Sequence, residues 1–171
     1  LGLGALGAAV GAALAALGFP VTGWSRSAKD LAGITCLSGE EGLIEALRVA
    51  DVLILLLPLT AETDSLLDDA RMALLPEGAV LLNPGRGPLI SDPALLDALE
   101  QGRISHATLD VFREEPLPKD HPFWHHPQIT VTPHIASATR PQTASRVIAE
   151  NIRRGEAGEP FLYLVDRALG Y

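Results

Sequence analysis

Three side chains of complementary chemistry each stand just beyond an apolar run. Arg86 follows Gly78–Asn83, Glu115 follows His106–Phe112, and His134 follows Ile129–Thr132. An arginine offers a planar fork of donors that fits a carboxylate or a carbonyl oxygen. A histidine can give up a proton near neutral pH. A carboxylate bonded to the far nitrogen of that ring favours its protonated form. Such a set suits the reduction of a 2-oxo acid. The arginine would hold the substrate, the imidazole would protonate the carbonyl oxygen, and a dinucleotide would supply hydride.

Each residue also has a plainer reading. Arg86 could be a solvated loop arginine, although Gly85 and Gly87 on either side imply close backbone approach. An isolated histidine after a proline reads first as a packed or capping residue. At the end of the last strand of a nucleotide fold, His134 is expected to be catalytic. Of Glu114 and Glu115, one is expected to be merely solvated. Asp110 is either structural or lines a nicotinamide site. His125 and His126 resemble a metal pair only superficially, because no carboxylate is placed to complete it, and no metal is expected.

The dinucleotide has its own signature at the start of the chain. Leu-Gly-Leu-Gly-Ala-Leu-Gly is G-x-G-x-x-G at Gly2, Gly4 and Gly7. In this motif one glycine makes the tight turn, one lets a pyrophosphate approach the backbone, and one lets the helix pack on the sheet. The helix N-terminus then offers free N–H groups to the phosphates. Alone the motif is weak, since any Gly/Ala-rich helix start produces the same letters. Its context strengthens it: Ala5–Leu17 is an unbroken helical run, Gly18 is a stop, and Phe19–Trp24 reads as a strand. Sites that prefer NAD carry a carboxylate at the end of this strand. Here the position is Ser25, followed by Arg26, Ser27 and Lys29. A carboxylate would repel a 2′-phosphate, whereas hydroxyls and a guanidinium would attract one. NADP(H) is therefore the preferred cofactor expected, with NAD(H) also usable.

The elements that must position these residues alternate. Strands are predicted at Ile34–Leu37, Asp51–Pro58, Gly78–Asn83, His106–Phe112 and Ile129–Thr132. Helices are predicted at Glu40–Val49, Thr63–Leu75, from Asp92 to near Gly102, and at Ser137–Arg154 with an early interruption at Pro141. Arg113–Gln128 reads as an ordered surface loop. This pattern predicts an α/β fold of Rossmann type, a doubly wound parallel sheet. Ligands in such sheets bind beyond the carboxyl ends of the strands, where Arg86, Glu115 and His134 all fall. Residues 1–154 are expected to form the dinucleotide-binding domain and residues 155–171 a tail.

Composition excludes other classes. The 171 residues carry a net charge of −8, which argues against nucleic acid or an anionic membrane as the main partner. Cys36 is the only cysteine, so no internal disulfide can form, and a reducing, cytoplasmic setting is expected. The apolar opening lacks the basic flank of a signal peptide and is too glycine-rich for a membrane span.

Four pieces of sequence assemble into a known pattern: LGLGALG at the start, NPGRG at Asn83–Gly87, LDVFREEP at Leu109–Pro116 and TPHIASAT at Thr132–Thr139. With them, the chain resembles the D-2-hydroxyacid dehydrogenase family over essentially its whole length. Trp24–Ser27, EEPLPKDHPFWHHP and the ending VDRALGY make it most similar to the subgroup that reduces glyoxylate and hydroxypyruvate. The resemblance implies that Arg86, Glu115 and His134 are the catalytic residues. It implies nucleotide contacts from Gly2, Gly4, Ala5, Leu6, Gly7, Ser25, Arg26, Ser27, Pro58, Pro84, Arg86, Asp110 and His134. It also implies a small 2-oxo or 2-hydroxy acid as substrate and a homodimer joined through the nucleotide domain.

Two departures stand out. The family commonly has Ala or Ser where this chain has Gly85. Family members also carry an N-terminal stretch that forms most of a second, substrate-binding lobe, and that stretch and the first strand are missing here. The neighbours of that strand are expected to be left unpaired, and the piece is expected to lack a complete substrate site. Two other readings remain open at this level: a dehydrogenase of another 2-hydroxy acid such as 3-phosphoglycerate, and a dinucleotide-sensing binding module without turnover.

Overall fold

A computed structural model describes residues 1–167; the last four residues of the VDRALGY ending, 168–171, lie outside the described residues. Two units can be distinguished, Leu1–His134 and a second that begins at Ile135. The first is a parallel α/β sheet fold. Its elements are α1 (Ala5–Ala16), β1 (Thr22–Ser25), β2 (Thr35–Ser38), α2 (Gly39–Arg48), β3 (Val52–Ile54), α3 (Asp69–Met72), β4 (Ala79–Asn83), α4 (Asp92–Glu100), β5 (Ile104–Leu109) and β6 (Ile129–Val131).

The strands form two parallel ladders, β1–β2 and β3–β4–β5–β6. The first residues of the chain lie between them. The Gly2 N–H donates to the Trp24 carbonyl at 2.8 Å, and the Leu56 N–H donates to the Leu1 carbonyl at 2.8 Å. The expectation that the strands on either side would be unpaired therefore needs correcting, because these residues take hydrogen bonds from one flank and give them to the other. The order of the elements reverses at this seam, which is where a doubly wound sheet opens its binding crevice.

The core is built mostly of leucine. Leu43 and Leu47 from α2, Leu81 from β4, Leu95 and Leu99 from α4 and Leu109 from β5 are all fully buried. The helix positions recur at four-residue spacing, which gives α2 and α4 each one apolar face. Glu40 and Glu41 in the first turn of α2 and Arg48 in its last complement the helix dipole. Pro93 enters α4 in the first turn, where its missing N–H costs nothing.

Several boundaries differ from the sequence-based prediction. Asp51–Pro58 is a ladder strand only over Val52–Ile54. The apolar run continues because Leu55 and Leu57 are buried, although the ladder with β4 has ended. β5 lies earlier than predicted: Ile104 is fully buried and pairs with Ala79, while Asp110–Phe112 has left the ladder. Thr63–Leu75 is not one helix. Ser65 sits at a positive φ of 51°, Leu67 bridges to Ile90, and helix resumes only at α3. Asp68 caps that short helix by accepting the Arg71 N–H at 2.9 Å.

The second unit contains α5 (Pro141–Ala157). Pro141 does not interrupt this helix, as predicted, but begins it, since a residue without an N–H is tolerated in the first turn. Gly158 ends it in the left-handed conformation at φ 69°. Arg154, the predicted end of the nucleotide domain, lies within α5. The chain then returns along this helix: Leu162 exchanges two hydrogen bonds with the Asn151 amide, at 2.7 and 3.2 Å.

Candidate active site

The three glycines of the opening motif have three different surroundings. Gly2 adopts a φ of +98°, and a Cβ there would come within 2.7 Å of the Leu56 carbonyl. Gly7 lies against Gly2, since its Cβ would fall 1.7 Å from the Gly2 oxygen. Gly4 has no atom within 4 Å of where its Cβ would be, and it is the cap residue at the start of α1. Two glycines thus close the turn, and the third leaves open space before the first N–H groups of α1. Ala5 and Leu6 are exposed beside it. This open, uncharged helix start fits a pyrophosphate.

At the end of β1, Ser25 is buried and its hydroxyl donates to the Ser27 carbonyl at 2.8 Å, which shapes the turn. Arg26, Ser27 and Lys29 are exposed beyond it. Arg26 lies 3.9 Å from Glu62 in a solvated pair. Such a pair is worth little. Pro58, at the far side of the seam, is held by the Thr63 hydroxyl, which donates to its carbonyl at 2.7 Å.

Arg86 stands in a loop fixed from below. Asn83, 1% exposed, accepts the Gly85 N–H at 3.1 Å and donates its amide to the Arg86 carbonyl at 3.0 Å. Pro84 is half-buried within this turn. The Arg86 side chain is exposed, with Nη1 donating to the Gly85 carbonyl at 2.7 Å. Gly87 carries the loop against the next one, since a Cβ there would lie 1.9 Å from the Phe112 carbonyl carbon. That approach brings the Arg86 and Glu115 loops together.

Glu115 uses both its oxygens. One accepts the Phe112 N–H at 2.9 Å, and the other meets His134 Nδ1 at 2.8 Å. The bond from His134, then the backbone N–H of Phe112 and the nearby charges of His134 and Arg86, hold its carboxyl below the usual carboxylate range against a partial desolvation. His134 sits at a positive φ of 53°, uncommon for a residue with a side chain. Its N–H donates to the Asp110 carbonyl at 2.9 Å, and the Asp110 carboxylate accepts the Thr132 hydroxyl. Asp110 is buried and anchors the turn that carries the histidine. With Nδ1 engaged by a carboxylate, Nε2 is the nitrogen that can hand on a proton.

The structure therefore brings Arg86, Glu115 and His134 to one edge of the sheet. The close approach expected at Gly87 is seen, whereas Asn83 and Thr132 were not foreseen as parts of the site. A buried asparagine at the end of an apolar strand was the one available signal. Among the described residues no group of His, Cys, Asp or Glu could hold a metal, and no helix is long and apolar enough to cross a membrane.

Comparison with known proteins shows the family and the fold. The family profile "D-isomer specific 2-hydroxyacid dehydrogenase, NAD binding domain" matches residues 1–136. Glyoxylate/hydroxypyruvate reductase A of Serratia proteamaculans is 48% identical over the whole chain, which spans 55% of that protein. A D-isomer specific 2-hydroxyacid dehydrogenase from Xanthobacter autotrophicus, solved with NADPH and MES, superposes with a TM-score of 0.94 at 49% identity, over 99% of this chain and 70% of that one. An NADPH-dependent glyoxylate/hydroxypyruvate reductase from Sinorhizobium meliloti, solved with NADP and sulfate, superposes at 0.92 with 36% identity, over 99% and 55%. The chain spans about half the length of the curated relatives it matches.

Proposed function

Since this chain belongs to the D-isomer specific 2-hydroxyacid dehydrogenases, we propose that it is the nucleotide-binding and catalytic part of an NADP(H)-preferring reductase of glyoxylate or hydroxypyruvate. The observation that carries the reading is the 2.8 Å bond between Glu115 and His134 in the loops that also present Arg86. The NADPH bound to one solved relative and the NADP bound to another support the cofactor. Residues 1–154 would form its nucleotide-binding part, and residues 155–171 would belong with a substrate-binding lobe. A homodimer in a reducing, cytoplasmic setting is part of the same proposal.

Gly2, Gly4, Ala5, Leu6 and Gly7 would hold the pyrophosphate, Arg26 and Ser27 the 2′-phosphate, and Pro58, Pro84 and Asp110 the edges of the nicotinamide site. The reduced nicotinamide, when bound, supplies a hydride. The Arg86 guanidinium would hold the substrate carboxylate and polarise its neighbouring carbonyl. His134 would give its Nε2 proton to the carbonyl oxygen, and Glu115 would stabilise the imidazolium and fix the ring.

The test is NADPH oxidation by the complete protein with glyoxylate and with hydroxypyruvate, beside its His134→Ala variant. Loss of the general acid should lower kcat by about 10²–10⁴-fold. NADPH binding without turnover in the wild type would instead favour a dinucleotide sensor.

A further inference from the structure

Arg113 is absent from the set above, yet its guanidinium joins three loops of the site. Nη2 donates to the carbonyls of Pro88 at 3.1 Å and Ile90 at 3.0 Å, and to the Ser65 hydroxyl at 3.0 Å. Both terminal nitrogens reach the same Asp64 oxygen at 3.2 Å. Pro88 and Ile90 lie two and four residues after Arg86, while Arg113 lies two residues before Glu115. Ser65 reinforces the junction: its N–H donates to the Pro88 carbonyl at 2.7 Å, and its hydroxyl donates to Asp64 at 3.0 Å. Those bonds from Ser65 and Arg113 hold the Asp64 carboxyl below its usual range.

The arrangement uses what distinguishes arginine from lysine. A rigid fork bonds several acceptors at fixed angles, whereas an ammonium is a point charge on a flexible stem. The junction adds to the contact at Gly87, where the two loops already touch backbone to backbone. We propose that Arg113 is a positioning residue of the reductase, locking the Arg86 loop to the Glu115 loop and so setting the guanidinium relative to the imidazole–carboxylate pair. The proposal rests on the function proposed above. Its expected magnitude follows from the sensitivity of catalysis to placement, since a shift of about 1 Å costs on the order of 10²-fold.

The experiment compares the complete wild-type protein with Arg113→Ala and Arg113→Lys, using glyoxylate and NADPH. In both variants kcat should fall on the order of 10-fold or more and KM for glyoxylate should rise. The Kd for NADPH, read by fluorescence titration, should change less than kcat, because the glycine turn and the 2′-phosphate residues lie on other elements. The loss from Arg113→Lys should shrink in an Arg86→Lys background, since the two residues act through one geometry. Wild-type kcat and KM in Arg113→Lys would overturn the proposal, even if Arg113→Ala does not fold and even if the melting temperature drops. A parallel loss of NADPH affinity would overturn it too. A wild-type protein that binds NADPH but reduces no 2-oxo acid would remove the underlying function, and the proposal with it.

Discussion

Glu115 faces a donor on each side, the backbone N–H of Phe112 and the ring of His134. Its depressed titration means that it is ionised throughout the neutral range. The stability this adds is present above the ordinary carboxylate range and is lost as pH falls through the depressed value. For catalysis the sign runs through the ring. Glu115→Gln retains a hydrogen-bonding group and removes the negative charge, so the imidazolium becomes easier to deprotonate. The basic limb of kcat/KM for reduction should therefore move to lower pH. A pH–rate profile unchanged from wild type would show that the carboxylate does not act on this proton. At this scale much was legible. Arg86, Glu115 and His134 are polar residues two or three positions beyond apolar runs, and that position is visible in the letters. The choice between Glu114 and Glu115 was legible only through the family resemblance, because physically it depends on which carboxylate the Phe112 amide and the imidazole both reach.

The loops around the site are held by backbone proximity as much as by side chains. Gly87 shows this most clearly, with room for no Cβ beside the Phe112 carbonyl. The obstructing atoms are main chain and cannot rotate away, so Gly87→Ala must push the two loops apart. It should cost about 1–3 kcal/mol, the usual penalty of overpacking, and should depress kcat more than NADPH binding. Thermal melting and steady-state kinetics on the same preparation would read both. Helices α2 and α4 were legible as elements because their leucines recur at helical spacing. The Thr63–Leu75 segment was not. Its helical letters are overridden at Ser65 and Leu67, which pair with the Pro88–Ile90 segment far along the chain. β3 was over-read for a related reason: burial continues after its ladder ends, and an apolar run reports burial rather than hydrogen bonding.

Over the whole molecule, the glycine turn at the seam of the two ladders and the cationic turn after β1 should act together on one ligand. NADPH at about 100 times its Kd should stabilise the complete protein by about 2.7 kcal/mol, and NADH at equal concentration by less. Arg26→Ala should narrow that difference while leaving the NADH shift intact, and a thermal-shift series with both cofactors would read it. An unchanged difference would assign the 2′-phosphate to other groups. The fold class, the alternation of elements and the glycine motif were determined by the sequence alone, since periodicity and turn residues are local properties. Tertiary structure decided the rest. It joined Glu115 to His134, turned Asp110 into an anchor for His134, and brought Arg113 onto the carbonyls of Pro88 and Ile90. Each of these is a hydrogen bond or backbone contact between loops, and no local pattern encodes which loops the sheet will bring together.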